Sequence, residues 1–386
     1  MSLAKKCTAL LCAAGVAVSL GGCSSGGSIY SNYRETEELM IVQTMGFDRA
    51  GDDIRLSVSA GASGGSDSSA PDSGSGTSAL LAEAPSVSLA MDKMQDHSAR
   101  EDLFFAHTSY IVIGEAAARD GLDAYLSFVK RSVFLRLDVP VFAVLGGEAS
   151  ELILGAENEQ YSATEVLRSL ERNVKLRGDC MVTSAGMLSA SLAETGCALV
   201  CAVRLVDAGD TVSGAQALTA LPAGYAVIKG DRMVGELPME YARGAALLMN
   251  KAGPSQISIS AGSCTACVQF DESSAELEPV AEQGELTGID IHLTLSASLI
   301  EFDGNYDDAA ANAALGDTLR DWITAVLDDA VRLRCDFLRL GSTLEHDHPQ
   351  RMRGMTRGLE ELLPLLQYNI YVDTEISRSF DLALPT

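Results

Sequence analysis

Basic residues are scarce in this chain. Only 28 Lys and Arg stand against 53 Asp and Glu among 386 residues, a formal net charge of -25. Such a surface excludes ordinary nucleic-acid binding, which needs clustered cations. It also opposes adhesion to anionic lipid by overall charge. Cysteine is thin as well, nine in all, too sparse for a disulfide scaffold in a chain this long. Beyond the N-terminal segment no stretch is apolar for 18 residues, so none reads as a spanning helix. A Walker loop and a second CxxC or HxxxH are missing, and no nucleophile elbow accompanies a candidate base. Those absences leave no assembled pattern for a nucleophile, a nucleotide or a structural zinc. Neither catalysis nor a cofactor is expected.

What is present begins at the first residue. Lys5 and Lys6 make a short positive region, and Cys7 to Leu20 is small and apolar. That length suits a signal peptide and is too short to cross a bilayer. Leu20-Gly21-Gly22-Cys23 follows, the pattern of a lipobox. Residues 1–22 are therefore read as a lipoprotein signal, with Cys23 as the lipidated residue. Residues 23–33 would be a tether, opening with the Ser/Gly run Ser24 to Ser28. A diacyl group there would be a durable anchor, since two chains hold a protein where one does so only marginally. Losing Lys5 and Lys6 would take the net charge from -25 to -27. The lipid, not charge, would then hold the chain at the membrane.

Hydrophobic periodicity gives the elements. Leu39–Phe47 is apolar on both faces and reads as a buried strand. Ile54, Leu56, Val58 and Ala60 alternate as a second strand after the turn at Gly51-Asp52-Asp53. Residues 61–78 are almost wholly Gly, Ser, Ala, Asp and Pro and are expected to be a disordered loop. Helices are expected over 87–99, 121–130, 148–154, 164–176 and 240–250, and strands over 109–113 and 139–145. Cys197, Leu199, Cys201, Val203 and Leu205 would share one strand face. Tyr225–Val234 reads as a hairpin about Lys229-Gly230-Asp231-Arg232, and 257–270 as strand-rich. In the last third, Ile289 to Leu299 alternates without a break. Leu315, Leu319, Trp322, Ile323, Val326 and Ala330 fall at helical spacing. A second helix over 350–363 is expected to stop at Pro364, before a final strand at 370–376. Strand, long helix, shorter helix, strand is an α+β unit with a sheet face under helices.

Several side chains invite sharper readings. Cys264 and Cys267 on a strand would point to opposite faces, so incidental thiols are favoured over a metal or redox pair. Cys197 and Cys201 would lie ~13 Å apart along one strand, too far to bond to each other. Spacing alone cannot pair the six cysteines from Cys180 to Cys335. His346 and His348 sit before Pro349 in an expected loop. His107 stands at a strand mouth with no nucleophile motif beside it. Lys229-Gly230-Asp231-Arg232 lacks the flanking residues of a P-loop, and Asp328, Asp329, Arg332 and Arg334 form a charged helix face.

Four segments, taken in order, carry a resemblance. They are Arg34 to Leu39 running into Gly46-Phe47-Asp48; His107 to Glu115 followed by Ala118-Arg119-Asp120-Gly121; Ile228 to Leu237; and Cys335-Asp336-Phe337-Leu338-Arg339-Leu340-Gly341. Behind a lipobox, this series resembles the C-subunit lipoproteins of bacterial spore germinant receptors, the Ger(x)C or GerAC-like family. Cys335 stands where the family usually has a polar residue. Tyr33 stands where a Trp often follows the lipid Cys.

The resemblance implies an α+β, multi-domain fold of several mixed β-sheets flanked by helices. It divides the mature chain into an N-terminal GerAC-like domain (34–207), a middle hairpin and helix region (208–284) and a C-terminal GerAC-like domain (285–386). It implies a non-enzymatic receptor subunit, required for assembly or signalling, on the outer face of the spore inner membrane. Its partners would be a multi-pass A-type and a transporter-like B-type subunit, in a complex that responds to nutrients. An extracytoplasmic solute-binding lipoprotein is the alternative, and a lipid-anchored hydrolase is a third possibility that the missing nucleophile pattern disfavours.

Overall fold

The computed structural model describes residues 39–62, 77–98, 102–158, 162–178, 180–206, 219–353 and 358–377. Cys23, the signal segment and most of the Gly/Ser-rich loop lie outside these residues.

The first sheet grows around four parallel strands: β1 (Leu39–Ala50), β5 (Tyr110–Gly114), β6 (Pro140–Val144) and β8 (Cys197–Val206). Antiparallel β2 (Asp53–Ala62) and β3 (Thr77–Ala84) extend it past β1. Antiparallel β9 (Thr219–Lys229) and β10 (Arg232–Pro238) extend it past β8. The strand order is β10-β9-β8-β6-β5-β1-β2-β3, with β4 (Asp102–Phe104) beside β1 and β7 (Thr183–Ser184) beside β6. Parallel strands buried on both faces read as continuous apolar runs, which is how β5, β6 and β8 read.

Helices cover both faces. On one lie α1 (Val87–His97), α2 (Glu115–Asp120), α3 (Asp123–Arg131) and α6 (Ala185–Thr195), packed on Ile111, Ile113, Val141, Ala143, Val200 and Ala202. On the other lie α4 (Ala149–Asn158), α5 (Ala163–Arg177) and α7 (Met239–Leu248), packed on Val112, Phe142, Val144, Leu199 and Val203. Ser162 starts α5 with a capping box, its hydroxyl accepting from the Glu165 N–H while Glu165 reaches back to the Ser162 N–H.

The second sheet has the order β11-β12-β13-β14, spanning Gln256–Ala261, Cys264–Glu282, Glu285–Asp303 and Gln367–Ser377. A tight turn joins β12 to β13, with positive φ at both Gln283 (52°) and Gly284 (84°), the backbone that a two-residue hairpin requires. β14 lies parallel to β13 and is reached through α8 (Asp308–Leu333), α9 (Leu340–Asp347) and the short helical turns α10 (Pro349–Met352) and α11 (Leu359–Leu362). α8 lays Leu315, Leu319, Trp322, Ile323, Val326 and Ala330 on the inner sheet face. The Asp307 carboxylate caps α8, accepting from the Ala309 and Ala310 N–H groups at 2.8 and 3.1 Å.

The core between α7 and α8 is continuous with that of the first sheet. At Gly244 a Cβ would sit 2.9 Å from the Trp322 carbonyl oxygen, so only glycine admits this approach of the two helices. Among the described residues no helix packs on the opposite face of the second sheet. Its four strands hold eleven Asp and Glu and no Lys or Arg.

The expected helix over 350–363 is not one helix. Arg353 is extended (φ -66°, ψ 121°), so α10 stops at Met352 and α11 starts afresh at Leu359. His346, expected in a loop, lies within α9, and His348 is the C-cap of that helix. The segment 208–284, expected as a middle region, contributes β9 and β10 to the first sheet and β11 and β12 to the second. Among the described residues no helix is long and apolar enough to cross a membrane.

Candidate functional site

The motif residues converge on two buried carboxylates and one corner. Asp48, at the end of the buried part of β1, is 2% exposed. Its Oδ1 and Oδ2 accept the Ala149 and Ser150 N–H groups, each at 2.8 Å. These are otherwise unpaired donors of the first turn of α4. Burial pushes the Asp48 carboxyl above its ordinary value, and the two backbone N–H groups pull the other way. Gly114, at the end of β5, leaves the space: a Cβ there would collide with Asp48 Oδ1.

Asp336 repeats the arrangement in the second half. It is 3% exposed and accepts the Leu340 and Gly341 N–H groups at 2.8 and 2.9 Å, at the start of α9. Burial raises this carboxyl too, against the backbone donors. The spacing Asp336 to Gly341 is therefore that of a side chain reaching the first turn of the next helix. A Cβ at Gly341 would press on Asp336 Oδ2 at 3.3 Å. Both aspartates act within the fold, each tying one strand or turn to a helix N-terminus.

The corner lies where β8, the β9–β10 hairpin and the end of α8 meet. Cys197, the first residue of β8, forms a disulfide with Cys335, with a Cα–Cα distance of 5.8 Å. Both are fully buried. Sequence spacing gave Cys197 no partner; its partner lies 138 residues away. Lys229 Nζ donates to the Arg334 carbonyl oxygen at 2.6 Å, and the Gly230 N–H donates to the Gly196 carbonyl oxygen at 2.7 Å. The Leu122 N–H donates to the Asp231 carbonyl oxygen at 2.6 Å. The Lys-Gly-Asp hairpin therefore touches three other segments through backbone and Lys229. Arg339 pairs with Glu194 across the same corner and holds the Glu194 carboxyl below its ordinary value.

Beside this corner is a cavity of about 360 Å³, lined by Cys180, Met181, Leu199, Met249, Lys251 and Phe337 among others. Tyr225, fully buried, accepts the Met181 N–H at 2.6 Å.

The remaining candidates stay apart. His107 is exposed, in a helical turn after β4, 5.6 Å from the Phe104 ring. Glu115 accepts the Gly146 N–H at 2.6 Å and, with Arg119 also beside it, is held below its ordinary pKa. Cys264 is buried and Cys267 half-buried on β12. The His348 ring nitrogen Nε2 lies 2.9 Å from the Leu277 carbonyl oxygen. Among the described residues no three His, Cys, Asp or Glu side chains are placed to hold a metal. The geometry thus offers helix caps, a cross-link and a cavity.

Comparison with known proteins agrees with the order of these motifs. Residues 32–205 match the spore germination protein N-terminal domain. Residues 223–380 match the spore germination B3/GerAC-like C-terminal domain. No curated protein matches the chain. The crystal structure of the GerBC protein is similar to it in fold, with a TM-score of 0.55 at 15% identity, over 86% of this chain and 96% of that one. The first match ends within β8 and the second begins within β9, and the Cys197–Cys335 bond joins one to the other. With both domains present in order over most of its length, the chain belongs to the GerAC-like family of germinant-receptor C subunits.

Proposed function

We propose that this chain is a non-enzymatic lipoprotein subunit of a nutrient germinant receptor, required for the receptor's assembly or signalling. Diacylated Cys23 would hold it on the extracytoplasmic face of the spore inner membrane, beside multi-pass A-type and transporter-like B-type subunits. The observation that carries this reading is the match of both family domains, in order. The local geometry is consistent with it, because the motif residues Asp48 and Asp336 are spent on helix N-termini inside the fold. A subunit without chemistry acts by favouring one state of a complex over another.

The test is affinity purification of the tagged full chain from spore membranes, with mass spectrometry of its N-terminus and of co-purifying proteins. The proposal expects a diacylated Cys23 and two membrane-embedded partners. An unmodified Cys23 would overturn the lipid anchor, and a chain recovered alone that binds a nutrient tightly by calorimetry would favour the solute-binding lipoprotein instead.

A further inference from the structure

The segment between α3 and β6 departs from the rest of this acidic surface. Residues 130–137 read Lys-Arg-Ser-Val-Phe-Leu-Arg-Leu. Val133 is 88% exposed, Phe134 54% and Leu137 49%. Leu135 alone turns inward, into the core under α1 and α3. Met187, 56% exposed, belongs to the same tip, because the Gly186 N–H donates to the Leu137 carbonyl oxygen at 2.7 Å. Lys130, Arg131 and Arg136 are all exposed around these apolar groups. One carboxylate within the segment, Asp138, answers Arg136. In a chain of net charge -25 this is a local reversal of sign. Behind Val133 and Phe134 an open groove of about 610 Å³ runs between α1 and α3, with Met91 and Phe128 in its wall and Asp92 and Arg131 beside them.

Topology places the tip. β1, β5, β6 and β8 are parallel, so all four begin at one end of the sheet. The described chain enters at that end, at Leu39. The Val133–Leu137 segment runs into β6 at that end as well. The acidic open face of the second sheet is on the other side of the first sheet, beyond α4, α5 and α7.

We propose that this tip is a membrane-docking site. Val133, Phe134, Leu137 and Met187 enter the interfacial region of an anionic bilayer, and Lys130, Arg131 and Arg136 meet its phosphates. Exposed apolar side chains ringed by Lys and Arg are what an interfacial anchor needs. Leu39, the first described residue, lies on the same side. In a two-fold contact a second copy would set Lys130, Arg131 and Arg136 against the same three cations, whereas an anionic lipid surface offers the complementary sign. The bilayer thereby fixes an orientation, with the tip inward and the second sheet outward. The inference rests on the lipid-anchor reading for bringing the chain to a membrane, but its own readout is separate.

The experiment uses the full processed chain on vesicles containing phosphatidylglycerol. Single Cys substitutions, Val133→Cys and, as a control on the open sheet face, Tyr371→Cys, carry a polarity-sensitive dye. Dye at 133 is expected to shift to the blue, to be quenched by brominated lipid and to lose its access to iodide; dye at 371 should show none of these. Separately, in a Cys23→Ser chain, Val133→Asp with Phe134→Asp should lower vesicle partitioning by roughly tenfold or more, as loss of two inserted side chains implies. If the processed chain sediments with vesicles but dye at 133 keeps full access to iodide, the docking site is wrong and the anchor stands. If the chain does not sediment, both fail. Shielding of position 133 that rises with protein concentration without vesicles would show a second copy on the tip, and would also overturn the proposal.

Discussion

Reducing the Cys197–Cys335 bond perturbs one contact and leaves the native packing otherwise in place. The bond closes a loop of sequence separation 138. In the chain-entropy account, a cross-link over a loop that long removes about 5 kcal/mol of freedom from the unfolded chain. Both sulfurs are buried, so reduction adds little solvation to the native state and the loss falls mainly on the unfolded side. At a denaturation slope of about 5 kcal/mol/M in guanidinium chloride, the midpoint should fall by about 1 M when reductant is added. Cys335→Ala should behave like the reduced wild type and gain nothing from an oxidant. Cys180→Ala, which removes a thiol outside the bond, should keep the full response to reductant. Equilibrium unfolding followed by tryptophan fluorescence suits the purpose, because Trp322 is the single tryptophan and lies on α8, close to the corner in sequence. Equal midpoints for oxidised wild type, reduced wild type and Cys335→Ala would refute the reasoning, because the two halves would then owe nothing to the cross-link.

Asp336→Ala should cost about 2–4 kcal/mol in chemical denaturation, since two N–H groups at the start of α9 lose their acceptor; Asp48→Ala should cost a similar amount at α4. Gly114→Ala should destabilise through the same contact, by forcing Asp48 off its two donors, and the pair Gly114→Ala with Asp48→Ala should be less than additive. The pH dependence has two signs. Asp48 and Asp336 have raised carboxyl pKa values, so the native state holds their protons longer than the unfolded chain. Their contribution to stability therefore falls as pH rises from the ordinary aspartate value through the raised one. Glu115 and Glu194 are lowered, so their contribution is full above the ordinary glutamate value and is lost as pH falls through the depressed one. Asp336→Asn should remove part of the falling limb in an acid stability series, and Arg339→Gln part of the rising limb; no change in either limb would contradict these assignments.

The second sheet shows why some of the fold was legible. β13 alternates Ile289, Ile291, Leu293, Leu295 and Ala297 inward, and α8 spaces its apolar groups to match, so each element announces its own period. The distal part of β12 was not foreseen. Glu276, Glu278 and Pro279 disfavour strand locally, yet Ala275 and Leu277 alternate inward against the long face of β13. Pro279 is tolerated because β11 pairs β12 only as far as Gln269, which leaves that stretch at an edge. β3 was missed for a related reason: Ala-Leu-Leu-Ala favours helix, and only pairing with β2 makes it a strand. α6 has a weak apolar stripe, with only Ala185 and Leu188 buried.

The corner was the least legible part. No pattern of spacing joins Cys197 to Cys335, because the contact exists only after β8, the hairpin and α8 are assembled. The glycines and aspartates of the motifs were visible as motifs. Their role as helix caps needed the three-dimensional partner, whose N–H groups lie about 100 residues away for Asp48 and four or five for Asp336.

The position of β1 has a mechanical consequence. Traction arriving through the residues before Leu39 would run along the axis of a strand inside the sheet. β1 is held on one side by β2, from Ala50 opposite Asp53 to Met40 opposite Ala62, and on the other by β4 and β5. Bonds perpendicular to the strand share such a load side by side, so it would have to shear them together instead of unzipping them in turn. A chain pulled from this point should yield late, and the force needed is a property that single-molecule stretching can read.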